Sequence, residues 1–538
     1  MIKIRRMRKF LLIGVVFLII ASPQLTAQLS KSEPIPIFKN DIPREPEREF
    51  QFLAFFLTQG VTSNFYPQNS LLKGQVIGRM FGQNTTSTSD TLTSAYAEQR
   101  LLPFFIYQPK LFNGKAILRA AFEIDWTWGD VAYGTGGNFG SAPSGDQVNL
   151  QTQNVELELR PGNGWAINLG LQRMFDSPFN PYRTTVDKML STGYRLGYWG
   201  TEGVGVTVRK DADYYRFKAG FFKLYESLIQ ENDDVTMGEL MYEQHVAKIT
   251  RVGLSANYVR DRANGAGGVS ILGQGLNATQ LNAYNGTFKF DFGPNPYAAD
   301  IVWLGTFFSH NADRMMGRFF GGGFFNYNFG KADVSYSGNW ETGADISGYG
   351  ANLNGGYRYG QTTNDVITFD FIYASGDDNA LEDKKYSGVL TGNMWASPGN
   401  VFIGSGAYLL FPHGNVVNRF TPLVSDFSNM GYGLMGGTVN ASYDVIPHKL
   451  NTKIGGAYAM SVAKPEGGGA NLGTELNAKV SYNFGPFMSI GVHGAYVWLG
   501  DFYDSSDDTY GSDVNGVYND DRPLNPWTAF IVFKWLMF

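Results

Sequence analysis

The chain of 538 residues carries 66 Gly and 15 % aromatics, but only 17 % of it is charged, against the ~25 % of an ordinary soluble surface. Its lack of cysteine excludes disulfides, thiolate metal sites, a Cys nucleophile and a lipid-anchoring cysteine. Mean hydropathy is −0.19, and no apolar run of about 18 residues follows the first thirty, which excludes a helical membrane protein; a barrel strand escapes that count because every second residue is polar.

Residues 1–9 are basic, residues 10–21 (FLLIGVVFLIIA) are apolar, and SPQLTAQ supplies a small, polar end. This is the pattern of a secretory signal peptide spanning residues 1–27. Its removal takes away Lys3, Arg5, Arg6, Arg8 and Lys9, so the formal charge falls from −5 by five. An acidic mature chain is a poor match for nucleic acid. Residues 28–66 read as a periplasmic amino-terminal segment, with Pro34, Pro36, Pro43 and Pro46 in its first part. Its apolar end, FQFLAFFLTQGVTSNFY, fits either a first strand or a packed periplasmic piece.

Residues 67–538 are predicted to form a transmembrane antiparallel β-barrel, all-β, of about eighteen strands within a range of sixteen to twenty. The clearest early strand is KAILRAAFEIDWTW, residues 115–128. Ala116, Leu118, Ala120, Phe122, Ile124, Trp126 and Trp128 alternate with Lys115, Ile117, Arg119, Ala121, Glu123, Asp125 and Thr127. A period of two places these sets on opposite faces. Two tryptophans at one tip suit an interfacial girdle, so the first set faces lipid and the second a wet lumen.

Further on, short turns alternate with long loops. The turns are RPGNG (160–164), RKDAD (209–213), GQTTN (360–364), DVIPH (444–448) and NFGP (483–486); the loops are 129–149, 175–200, 260–281, 376–431 and 501–525. Short periplasmic turns against long extracellular loops is the outer-membrane arrangement. Counting back from a periplasmic Phe538 puts each connection on the side its length predicts. Residues 475–484 and 367–374 alternate cleanly. The last strand, WTAFIVFKWLMF, has an apolar run interrupted by Lys534, which would snorkel to the membrane edge.

Three stretches carry more than pattern: SGNWETGADISGYGANLNGGYRYG (337–360), YASGDDN (373–379) and GTELNAKVSYNFGPFMSIGVHGAYVWLGD (473–501). In order and spacing they resemble the alginate-export-like family of outer-membrane porins, which has an ASGDD loop start and a late G-x-E-x-D strand. Here the late motif is Gly473, Glu475 and Asn477, an amide replacing the last acid. NLGLQRMFDSPF (168–179) is a fainter match. The resemblance implies a monomeric barrel passing solute by passive diffusion, and the family's name-giving member has an arginine-rich pore suited to a polyanion.

The predicted lumen faces carry both signs: Arg119, Arg216, Lys218, Arg358 and Lys479 with Glu123, Asp125, Asp370 and Glu475. Such residues either filter solutes by charge or brace the wall by ion pairs. A mixed lining fits a general or sugar-selective porin for small hydrophilic or saccharide solutes better than a polyanion channel. The inward-folding element is predicted to be loop 376–431, whose NVFIGSGAYLLF would form a hairpin in the pore. The acidic loop 501–522 reads as solvated; Asp507, Asp508 and Asp513 would supply ligands were it to hold calcium, but the D-x-[DN]-x-[DN]-G spacing is absent. Tyr194, Tyr198, Trp199 and Trp395 are candidate sugar platforms. Five scattered histidines, with no H-E-x-x-H, G-x-S-x-G or Walker-type loop, give no reason to expect catalysis, a cofactor or a nucleic-acid partner. The expected partners are outer-membrane lipid and the solute. The alternative is a surface-binding or secretion-associated barrel with a closed lumen.

Overall fold

The computed structural model describes residues 48–67, 86–128, 149–173, 202–226, 228–229, 232–265, 272, 288, 290–311, 316–379, 381–390, 406–411, 428–465, 467–504 and 523–537. The leader at 1–27 lies outside these residues, as do the acidic triplet Asp507, Asp508 and Asp513 and the aromatics Tyr194, Tyr198, Trp199 and Trp395.

Eighteen antiparallel strands close into one ring. They are β1 (Phe50–Ser63), β2 (Ser94–Tyr107), β3 (Ala116–Trp128), β4 (Asn149–Gly162), β5 (Trp165–Arg173) and β6 (Glu202–Asp211). There follow β7 (Tyr215–Tyr225), β8 (Val235–Ala247), β9 (Thr250–Asp261), β10 (Tyr297–His310), β11 (Phe319–Tyr336) and β12 (Asn339–Arg358). The last are β13 (Val366–Ala374), β14 (Leu434–Ile446), β15 (Leu450–Met460), β16 (Asn471–Gly485), β17 (Met488–Leu499) and β18 (Trp527–Met537). Each strand pairs with the next in sequence. The ring closes where β18 lies against β1, from Ala54↔Met537 to Ser63↔Thr528. The stretch from Phe50, open to two readings in the sequence, is thus a full stave of the barrel.

Alternation sets the two faces. In β18 Ile531 is 46 % exposed and its neighbour Val532 is 2 % exposed, and the same beat runs through Leu476, Val480, Tyr482 and Phe484 of β16 and Ile367, Phe369 and Phe371 of β13. This outward set is apolar and bounded by aromatic residues at both ends, as with Phe484 and Trp535 toward one rim and Tyr496 and Trp498 toward the other. Lipid is the only solvent for which such a surface is an advantage. Lys534 corrects the sequence reading. It alternates with Phe533 and Trp535, and pairs in register with Ser489 and Leu57 on inward positions, so it belongs to the inner wall and interrupts no lipid-facing stripe.

All five predicted turns join strands at one end of the barrel, and the strand ends that flank the five predicted loops lie at the other. One connection departs from the rule. Ser337 and Gly338, with φ of 54° and 88°, close a two-residue hairpin on the loop side. Positive φ at both positions is the type I′ geometry that matches strand twist. It joins the two longest strands, of 18 and 20 residues.

Candidate functional site in the barrel lumen

The inner wall has two chemically different arcs. Across β3–β9, on the half nearer the turns, charged side chains of alternating sign form a ladder. Arg119 bonds Glu156 at 2.9 Å and Glu158 at 3.2 Å. Glu158 also meets Arg160 at 2.7 Å and Arg209 at 3.5 Å. Arg209 and Arg216 share Asp211 at 2.8 and 2.5 Å, and Lys218 meets Glu239 at 2.5 Å. Arg251 and Glu243 end the row at 4.0 Å. Asn168 donates to both Glu156 and Glu158 at 3.2 Å. Arg119 and Glu158 are fully buried, and the other members are nearly so except Arg160 and Arg251, which are partly exposed. Charges this deep are held by one another, because an isolated buried charge is prohibitively costly.

Of the predicted lumen residues, Arg119, Arg216 and Lys218 therefore meet in this ladder. Glu123 and Asp125 have backbones in β3, opposite Gln151 and Asn149, but their side chains lie outside the described residues. Arg358 sits at the turn rim, donating Nη2–H to the Gly317 carbonyl. Asp370 accepts Asn352 Nδ2–H at 2.6 Å on the opposite arc. Lys479 stands in register between Lys453 and His493 on that arc.

On the loop-side half of β7–β18 the inner wall is apolar and covered. Over β7–β12, Phe288, Phe290 and Phe292, with Leu381, Tyr386 and Leu390, pack on Met237, Val259, Ile301, Val334 and Ile346. Trp303, fully buried, donates its indole N–H to the Leu390 carbonyl at 2.8 Å. Leu390 N–H in turn donates to Asn328 Oδ1 at 3.0 Å.

Over β13–β18, residues 406–411 (GAYLLF) lie on Ile372, Ala457, Ala459, Ala495 and Val497. The described segments 381–390 and 406–411 of loop 376–431, the loop expected to fold inward, thus lie against the inner wall. Of NVFIGSGAYLLF only residues 406–411 are described, and they carry no strand; the other half of the expected hairpin lies outside the described residues.

Glu475 holds this strap. Its carboxylate accepts the N–H groups of Tyr408, Leu409 and Leu410 at 2.7, 2.9 and 2.7 Å and Asn477 Nδ2–H at 2.9 Å. Asn477 Nδ2 also donates to the Gly406 carbonyl at 2.8 Å. The Tyr408 ring lies 5.2 Å from His493 and 5.5 Å from Phe530, with the Lys453 ammonium 4.6 Å from its centroid. Glu475, expected to line the pore, has its side chain on the inner side of β16, but at 1 % exposure it faces the strap and not open lumen.

Sequence reasoning left Glu156, Glu158, Arg209, Asp211, Glu239, Glu243 and Lys534 out of the lining. The signal was present: Glu156, Glu158 and Arg160 alternate with Val155, Leu157 and Leu159 as regularly as the residues around Arg119 do.

Neither a protein-family model nor a curated sequence matches the chain. Among solved structures it is similar to OpdQ of Pseudomonas aeruginosa, at 8 % identity over 91 % of this chain and 97 % of that one, with a TM-score of 0.42. OccAB4 of Acinetobacter baumannii matches at 11 % identity, 91 % and 99 % coverage and 0.40. OmpT, an outer membrane protein of Vibrio cholerae, matches at 11 % identity, 91 % and 99 % coverage and 0.35.

Proposed function

We propose that the protein is a passive porin of the bacterial outer membrane, reached through a cleaved leader, which passes small hydrophilic or saccharide solutes in the manner of alginate-export-like channels. The observation that carries this is the pairing of an apolar outer band with a charged inner ladder in a closed ring of eighteen strands. A ring of that size is wider than its side chains can fill, and so holds water unless loops occupy it. Here loops occupy part of it. The ladder on β3–β9 then braces the wall on one side, its charges buried against one another, and the strap with its neighbours narrows the other side.

Mechanism follows from that asymmetry. Solute moves down its gradient through the space beside the ladder, and no step of chemistry is required. Charges that are buried and mutually paired offer a passing solute no deep binding well, which keeps passage fast. Purified protein in planar bilayers should give stepwise conductance, and liposomes containing it should swell in small neutral sugars. Absence of both refutes the reading.

The second reading, a surface-binding barrel with a closed lumen, is favoured by one feature: two apolar clusters cap the loop-side wall of β7–β18. It predicts loop-dependent binding with no solute flux.

A further inference from the structure

We infer that Glu475 is the positioning residue for the constriction: its single carboxylate fixes residues 406–411 against β14–β17, and through them sets the width of the lumen. The inference rests on the channel reading and names the residue that decides the pore's size.

Three features converge on it. First, the three consecutive N–H groups of Tyr408, Leu409 and Leu410 all point at one carboxylate. Consecutive amides converging on an anion form a nest, and a charged acceptor strengthens each bond. Second, the wall beneath is cut to receive the strap. Gly436, Gly455, Ala457, Ala459 and Ala495 occupy inward positions there, and a Cβ placed on Gly436 would meet the Tyr458 carbonyl at 2.5 Å and the Phe411 ring at 3.0 Å. A Cβ on Gly406 would meet Thr438 Oγ1 at 2.1 Å. Small residues at these places keep the trough open, and Gly436 and Gly406 are where wall and strap approach closely. Third, Tyr408 is wedged between His493, Phe530 and Lys453, which gives the strap one seat along the barrel axis.

Apart from Tyr408, the apolar side chains do not specify that seat. Leu409, Leu410 and Phe411 would bury similar area if the strap slid along the trough, since area is indifferent to register. The amides are not indifferent. A buried N–H deprived of its acceptor costs roughly a factor of ten in population, and sliding or losing the carboxylate orphans three. Glu475 thereby turns a greasy contact into a fixed one.

The test uses the full chain, whose lack of cysteine makes a single introduced thiol unique. Leu409, 2 % exposed, becomes the reporter as Leu409→Cys, labelled by a membrane-impermeant maleimide in liposomes. Glu475→Ala should speed labelling at least about tenfold, raise single-channel conductance and admit larger sugars into swelling liposomes. The heat-shifted gel band of the folded barrel should persist. Glu475→Gln keeps one acceptor oxygen and should fall between the two in all three measurements. Should Glu475→Ala fail to give the folded band, the same readouts on Glu475→Gln decide.

Unchanged thiol protection together with unchanged conductance and size limit overturns the inference. If the parent protein conducts nothing but Glu475→Ala exposes the thiol and opens a pore, the strap assignment stands and the parent is a closed barrel. Conductance in the parent with no response to either variant leaves the porin and removes the role of Glu475.

Discussion

Replacing Arg119 by Met is the sharpest test of the ladder as a brace. The guanidinium is fully buried and contacts Glu156 at 2.9 Å and Glu158 at 3.2 Å, so no solvent screening reduces its worth. Glu158 retains Arg160 and Arg209. Glu156 retains the Asn168 amide at 3.2 Å, a neutral donor that does not balance a buried charge. Breaking a buried pair on one side costs about 3–5 kcal/mol; because Glu158 remains compensated, the lower end applies, about 3 kcal/mol. Replacing both partners should hurt less. Arg119→Met with Glu156→Gln removes the stranded charge, and the two substitutions should couple by about 1–3 kcal/mol relative to additivity. The measurement is urea unfolding in lipid vesicles followed by tryptophan fluorescence, with all four members of the cycle at one lipid composition. A single variant within about 0.5 kcal/mol of the parent, or costs that simply add, would refute the brace. In bilayers the same single variant makes the lumen one charge more negative, and its reversal potential should move toward cation preference.

Three further outcomes follow from the same geometry. Ile531→Lys puts a charge on the lipid face and should cost about 2–4 kcal/mol of folding stability in vesicles if it lies near mid-membrane, whereas Lys534→Leu, on the inner wall, should give no such gain; stabilisation by Lys534→Leu of comparable size would return that lysine to lipid. In the turn at 359–365, burial raises the Asp365 carboxyl while the N–H groups of Asp444, Thr362 and Gln361 lower it, and the hydrogen bonds win, leaving it below the ordinary carboxylate value. A depressed folded value means stability present above the unfolded value and lost as pH falls through the folded one, so Asp365→Asn should cost about 1–2 kcal/mol at neutral pH and flatten the acid limb of an unfolding profile. Trp303→Phe removes the bond to the Leu390 carbonyl, worth about 1 kcal/mol, and should make residues 381–390 more sensitive to protease without altering the heat-shifted band.

The ring itself was legible because its determinant is local. Every second residue answers to lipid, and the turn sequences mark where each strand reverses, so sides and lengths could be assigned without knowing any contact. Lys534 shows where reading by stripe fails. In a strand apolar on both faces, as WTAFIVFKWLMF is where it meets Phe55, Leu57 and Leu102, alternation is weak, and only the register against β17 and β1 settles which way the lysine points. The strap shows a second limit. That loop 375–433 would turn inward could be argued from its length and apolar fragment, but that Glu475 receives it depends on two segments some 65 residues apart in sequence, and no spacing rule encodes such a meeting. The ion ladder lay between these cases: each strand displayed its charged face, while the pairing across strands needed the shear of the barrel.

The contact between β1 and β18 has a kinetic implication. Its ten residue pairs, Ala54↔Met537 through Ser63↔Thr528, join segments more than 460 residues apart. Until Trp527–Met537 arrives, β1 presents a bare hydrogen-bonding margin with no water in the bilayer to satisfy it, and an entropy debt of that span is met only at the final step. Assembly in the membrane is therefore all or nothing at this seam. A chain stalled before its last hairpin would be an open sheet with two adhesive borders, ready to zip onto a neighbour in place of itself.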